Sequence, residues 1–285
     1  MGNAIELRNV TKRYPGFAVE NISFALPEGC IMGLIGENGA GKTTIIKMIL
    51  DLVRQDAGEI DVFGKPIWKN GILWKEQVGV VMDECGFPEN LSAKNINGIL
   101  KNTYRTWKEE VFYGYCDRFQ LPLGKAVKDY SRGMKMKLSI AAALSHDSRL
   151  LVLDEATSGL DPIVRDEILD LFLEFIQEET HSVLISSHII SDLEKICDYI
   201  TFLHQGKIIF SEEKDVLLER YAVAKCSREE FEGIDPRAVV GVRKNRFGVE
   251  ALVYKKRLNR DVAADPATIE EIMLYYAKEE KSCRD

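Results

Sequence analysis

No window of the 285-residue chain reaches the ~18 uninterrupted apolar residues that a membrane span requires. The first ten residues lack the basic head and apolar run of an export signal. Together these absences predict a chain that stays out of the bilayer, so any membrane-spanning part must come from another chain. Positive charge is also short. Thirty-eight Lys and Arg face 45 Asp and Glu, for a formal net charge of -7. A protein that lives on nucleic acid usually shows the opposite balance, so no nucleic-acid partner is expected. Cys30, Cys85, Cys116, Cys197, Cys226 and Cys283 form no C-x-x-C pair and no zinc-spaced cluster. Their wide spacing favours reduced thiols in a cytosol. No internal repeat and no low-complexity tract is found.

What is present is an ordinary globular composition, 46% hydrophobic, enough for a real core. Strand-like stretches are predicted at Ala4–Val10 and Ile22–Leu26. The apolar run Cys30–Ile35 leads into a glycine-rich loop and then a helix over Thr44–Val53. Short strands are predicted at Glu59–Phe63 and Val78–Met82. From about 90 to 146 strand signals nearly vanish and helical patterns dominate, which reads as a helical insertion in an α/β core. The all-apolar run Leu150–Leu153 then marks a buried parallel strand. Asp161-Pro162 reads as the cap and first position of a helix. Val183–Ile185 is a further buried strand, and Tyr199–Leu203 with Ile208–Phe210 reads as a hairpin. A linking helix is expected around Val216–Val223. Paired strands follow at Val239–Lys244 and Val249–Lys256, across the turn Asn245–Gly248. Asp265-Pro266 is expected to open a final helix.

The strongest chemical signal is Gly36-Glu-Asn-Gly39-Ala-Gly41-Lys42-Thr43, which fits G-x-x-x-x-G-K-[ST]. Glycines let backbone N–H groups turn inward around an anion, and the following helix points its positive end to the same place. Lys42 is expected to reach the β- and γ-phosphates, and the Thr43 hydroxyl to hold Mg²⁺. A chance glycine turn is the competing reading; the strand before and helix after argue against it. The second signal is Asp154-Glu155 directly after Leu150–Leu153. Asp154 can bind Mg²⁺, and Glu155 can orient or deprotonate an attacking water. An acidic strand end facing solvent is the bland alternative, which the neighbouring phosphate loop disfavours.

With those motifs in place, the chain resembles the ATP-binding subunit of an ABC transporter, most like the ABC-2-type exporter group. Tyr130-Ser131-Arg132-Gly133-Met134 resembles the family signature, Ser158-Gly-Leu-Asp161 its D-loop, and His188 its switch histidine. The resemblance covers roughly Ala4 to Phe210. It implies an α/β fold: a P-loop NTPase core with an antiparallel β subdomain and a helical insertion, plus a small α+β C-terminal extension. The domains expected are 1–212 and 213–285. It implies ATP bound by Gly36, Glu37, Asn38, Gly39, Ala40, Gly41, Lys42, Thr43 and Thr44, with Tyr14 stacked on adenine. A core or turn role for Tyr14 is the alternative. Lys42, Glu155 and His188 would be catalytic, with His188 contacting the γ-phosphate; alone, it would read as a core histidine. Ser131, Arg132, Gly133 and Met134 would face the nucleotide of an opposite subunit, across a head-to-tail homodimer or heterodimer. Ser131 also reads simply as a helix N-cap.

Two segments depart from the family, the signature and the Q-loop. Arg132 replaces a glycine, and Met134 the usual glutamine; whether Arg132 adds a cationic contact or points to solvent stays open. Asp83 stands where relatives carry the Q-loop glutamine. It is expected to approach Mg²⁺ through a water, with a solvated loop acid as the alternative. The implied function is ATP hydrolysis driving transport, export in direction, through a separate integral membrane permease. The chain would then sit peripherally on the cytoplasmic face of the cell membrane. A soluble ABC ATPase of translation or DNA repair is the rival reading. In the C-terminal part, Arg243, Lys244, Arg246, Lys255, Lys256, Arg257 and Arg260 make a basic hairpin, read first as a solvated face. Contact with lipid head groups, dimerisation or regulation are its other readings.

Overall fold

The computed structural model describes residues 2–69, 71–246, 248–259 and 262–282, with only the backbone beyond residue 277. Phe247 of the expected turn, Arg260 of the basic set and Cys283 lie outside the described residues. The chain divides into two compact units, Met1–Ile208 and Ile209–Asp285. The sequence reading puts the seam slightly later, after residue 212.

In the first unit, β1 (Asn3–Tyr14), β2 (Phe17–Pro27), β4 (Ala57–Val62) and β5 (Lys65–Pro66) form an antiparallel sheet in the order β2-β1-β4-β5. Between them in sequence lie β3 (Ile31–Ile35) and α1 (Lys42–Ile49). Next come β6 (Val78–Val81), then α2 (Ala93–Thr103), α3 (Glu109–Arg118) and α4 (Arg132–Ala143), the expected helical segment. The chain returns with β7 (Leu150–Asp154), α5 (Pro162–Phe175), β8 (Ser182–Ser187), α6 (Ile190–Ile196), β9 (Tyr199–His204) and β10 (Lys207–Glu213), within which the first unit ends.

The second sheet runs β10-β9-β3-β8-β7-β6, with β9, β3, β8, β7 and β6 parallel in register. Every residue of β3, β7 and β8 is buried, as continuous apolar runs demand when both faces are covered. One hydrophobic cluster joins Leu7 and Ile22 of the antiparallel sheet to Met32, Ile45, Val152 and Leu184. The two sheets therefore share a core, and the loop between β3 and α1 emerges at its edge.

In the second unit, α7 (Lys214–Arg220), β11 (Tyr221–Cys226), α8 (Arg228–Glu232), β12 (Val239–Lys244), β13 (Val249–Tyr254), β14 (Ala264–Pro266) and α9 (Ile269–Ser282) build an antiparallel sheet of order β12-β13-β11-β14. It has its own small core around Ala222, Ala224, Ile234, Ala251 and Val253. Much of the basic hairpin has local partners. Arg243 lies over the Tyr275 ring, Arg257 donates to the Arg237 carbonyl, and Lys255 donates to that of Leu218.

Three expected boundaries need correction. α1 stops at Ile49, because Asp51 takes a left-handed backbone (φ 55°) that ends the helix. The linking helix ends at Arg220, and Tyr221–Val223 pair with β13 instead, where alternate apolar side chains enter the small core. Asp265-Pro266 lies in edge strand β14, a place that tolerates proline's missing N–H. Thr268 and Glu271 start the final helix: the Thr268 hydroxyl accepts from the Glu271 amide, and the Glu271 carboxylate accepts from the Thr268 amide.

Candidate functional site

The loop after β3 is shaped by its glycines and tied at its middle. Gly39 has φ 83°, and a side chain there would enter open space, so the backbone itself walls the cavity. The amide of Ala40 donates to the Glu37 carbonyl (3.1 Å), and the Ala40 carbonyl accepts from the Gly206 amide (3.1 Å). Gly206 sits in the turn between β9 and β10 and also accepts from the amide of Glu20 on β2 (2.9 Å). The N-terminus of α1, free of acidic residues in its first turn, points its amides at the same space.

A cavity of about 560 Å³ opens there, lined by Phe17, Glu37, Asn38, Gly39, Gly41, Lys42, Thr43, Thr44, Asp83, Asp154 and Glu155. Residues far apart in the chain are thus brought to one cavity, including most of the expected loop with Asp83, Asp154 and Glu155, but not Asp161. Gly36 and Ala40 support the loop from behind; Ala40 is buried, and a Cβ on Gly36 would meet the Leu203 carbonyl at 2.4 Å. Lys42 is buried, and its Nζ donates to the Gly36 carbonyl (2.7 Å).

The acidic pair ends β7. Asp154 is buried, and its Oδ1 accepts from the Ser186 hydroxyl of β8 (2.6 Å). The Glu155 amide donates to that same hydroxyl oxygen (3.1 Å) and to the Ser186 carbonyl (3.1 Å). Glu155 has φ 53°, a left-handed backbone rare for a non-glycine residue, and such conformations gather at functional sites. Its carboxylate lies between two partners: Lys42 Nζ at 3.2 Å from Oε1 and His188 Nδ1 at 2.7 Å from Oε2. His188 follows β8 directly, which sets its ring beside the acidic strand end. Behind this corner, burial raises the pKa of the Asp192 carboxyl above its ordinary range, while Arg165 at 3.8 Å pulls it down.

No group of three or more His, Cys, Asp or Glu able to cage a metal occurs among the described residues. Mg²⁺ takes one or two carboxylates and completes its shell with phosphate oxygens and water. Thr43, Asp154 and Asp83 on one cavity wall are a fitting hard-oxygen donor set for it.

The remaining expected residues lie elsewhere. Tyr14 is 41% exposed and is not among the cavity-lining residues; its cross-strand neighbour Phe17 is. Sequence reading passed over Phe17 because the hairpin register that puts it next to the loop is not written in either residue. Ser186 was also missed, although its place opposite Asp154 follows from pairing β7 with β8. Ser131 caps α4, accepting from the Met134 amide (3.2 Å). Ser131, Gly133 and Met134 do not line this chain's own cavity. Arg132 is not directed idly to solvent: it pairs with Asp83. The Asp161 carboxylate caps α5, accepting from the amides of Ile163 and Val164.

The ABC transporter family profile matches residues 19–158. The bacitracin transport ATP-binding protein BcrA of Bacillus licheniformis is 35% identical over 217 residues, covering 73% of this chain and 69% of the relative. The linearmycin resistance ATP-binding protein LnrL of Bacillus subtilis is 31% identical over 270 residues, covering 91% of this chain and 85% of the relative. A solved ATP-binding subunit of an ABC transporter superposes with a TM-score of 0.69 at 25% identity, over 80% of this chain and 93% of that structure.

Proposed function

The chain belongs to the ABC transporter family as an ATP-binding subunit, and from that membership we propose which of its residues carry the chemistry. The family function is ATP hydrolysis coupled to transport. The observation that carries the assignment is the single cavity uniting the Gly39–Thr44 loop with Asp83, Asp154 and Glu155. Loop amides and Lys42 hold the phosphates. To do so, Lys42 exchanges its bond to the Gly36 carbonyl for a phosphate oxygen. Phe17 packs on the base, with Tyr14 flanking it.

Glu155 orients the attacking water and takes its proton as the terminal P–O bond breaks. His188 contacts the γ-phosphate, and until nucleotide arrives it and Lys42 hold that carboxylate from either side. Thr43 and Asp154, with Asp83 nearby, would hold Mg²⁺, which would neutralise charge on the phosphates. Asp154 is kept in place by the Ser186 hydroxyl.

Ser131, Gly133 and Met134 serve the nucleotide of a second copy, or of a paired ATPase subunit, in a head-to-tail dimer. This is supported by their lying away from the chain's own cavity. The helical segment α2–α4 and the Asp83 loop pass the motion to a membrane permease, and export is the direction that the resemblance implies. The seam near residue 212 and the peripheral position on the cytoplasmic face belong to the same reading. Relatives named for transport favour this over a translation or repair ATPase.

Glu155→Gln is the test. The variant should bind ATP and dimerise, while hydrolysis falls by roughly 10²–10⁴-fold, the usual contribution of a positioned base. Near-normal phosphate release would remove Glu155 from its role.

A further inference from the structure

Asp83 and Arg132 are the two positions at which this chain departs most clearly from its family, and the structure joins them. Arg132 Nη2 lies 2.8 Å from Asp83 Oδ1, with both side chains about half exposed. The guanidinium also lies against the backbone of the Ser158–Asp161 turn: a Cβ added to Gly159 would come within 2.7 Å of Arg132 Nη1. Gly159 has φ 68°, which is what favours glycine there, and the guanidinium rests beside it. Arg132 thus links the loop after β6 to the start of α4, beside the turn after β7.

Further contacts follow the same line. Lys135 of α4 pairs with Glu89 (3.6 Å), and the Ser139 hydroxyl lies 3.8 Å from Cys85 Sγ. The loop is laid along α4, with a second cavity of about 550 Å³ between them. Asp83 borders both cavities, the one along α4 and the one holding the phosphate loop. One carboxylate therefore faces two demands.

We propose that Arg132 is a positioning residue for Asp83, forming an intrachain clasp that magnesium nucleotide must open, because the carboxylate serves either Arg132 or the chain's own nucleotide cavity. This rests on the site reading proposed above. A half-exposed ion pair is weak enough to be displaced on every cycle and strong enough to bias the loop. A binding-competent state that is only partly populated lowers apparent affinity by that fraction. Since Mg²⁺-free ATP makes no demand on Asp83, the clasp acts on the gain in affinity that Mg²⁺ brings.

The experiment measures dissociation constants of a fluorescent ATP analogue for the full chain carrying Glu155→Gln, in Mg²⁺ and in EDTA. The chain concentration is kept below that of dimerisation. The readout is the ratio of the two constants, compared with and without the Asp83 carboxylate, because free ATP carries more negative charge than its Mg²⁺ complex and feels the loss of a nearby cation more. Arg132→Ala should raise the Mg²⁺ gain roughly two- to five-fold, the range expected of an exposed pair. Arg132→Lys should fall between Arg132→Ala and the unsubstituted arginine, because it keeps the charge without the fork. In an Asp83→Asn background, Arg132→Ala should move the ratio far less.

A ratio that ignores Arg132→Ala, or that moves equally with and without Asp83, overturns the clasp and leaves the site reading intact. A Glu155→Gln chain that binds no nucleotide in either condition overturns the site reading, and the clasp with it.

Discussion

Glu155 carries a left-handed backbone, a pinned amide and a carboxylate held between Lys42 and His188. Such an arrangement makes a group's direction matter as much as its charge. Glu155→Asp keeps the charge but withdraws it by a methylene, so it should lose most turnover while still binding ATP, as read by single-turnover phosphate release. At the base end of the cavity the aromatics are separable. Phe17 lines the wall and Tyr14 does not, so Phe17→Ala should weaken binding of a fluorescent ATP analogue by about 1 kcal/mol or more, in the range of base stacking. Tyr14→Ala should cost less. The phosphate loop and acidic pair were legible in sequence because contiguous residues carry them. Phe17, Ser186 and the Arg132–Asp83 pair were not, since each depends on two segments meeting in space.

The same dipeptide meets opposite fates in two elements. Asp161-Pro162 opens α5, with the aspartate accepting from two amides, whereas Asp265-Pro266 ends up in edge strand β14. Nothing in the pair itself distinguishes them. Thr268 and Glu271, just downstream, cap the helix reciprocally and outcompete the aspartate. Thr268→Ala should therefore destabilise the chain by about 0.5–2 kcal/mol in urea unfolding, the usual value of an N-cap. The buried parallel strands were the most legible elements, because a run such as Leu150–Leu153 has no polar residue to offer solvent. At the base of the helical segment, His146 is buried, with Nδ1 2.9 Å from the Glu76 carbonyl, and burial lowers its pKa below the ordinary 6.5. The unfolded chain then binds the proton more readily than the folded one. Its contribution to stability is full above about pH 6.5 and is lost as pH falls below it. His146→Gln should flatten that part of a melting-temperature profile.

Across the whole molecule, the first unit carries every residue assigned to the nucleotide, and the second unit has a separate core. If catalysis needs two copies, phosphate release per chain should rise with chain concentration before it levels off; a flat dependence from the lowest concentrations would remove the dimer from the mechanism. The small turn at Gly206 joins the antiparallel sheet to the phosphate loop, since it accepts from Glu20 and donates to Ala40. A Cβ there would fall 1.8 Å from the Ala18 carbonyl, so the joint has no slack. It follows that the strand bearing Phe17 and the glycine loop are held at one spacing, as the jaws of a locked caliper are.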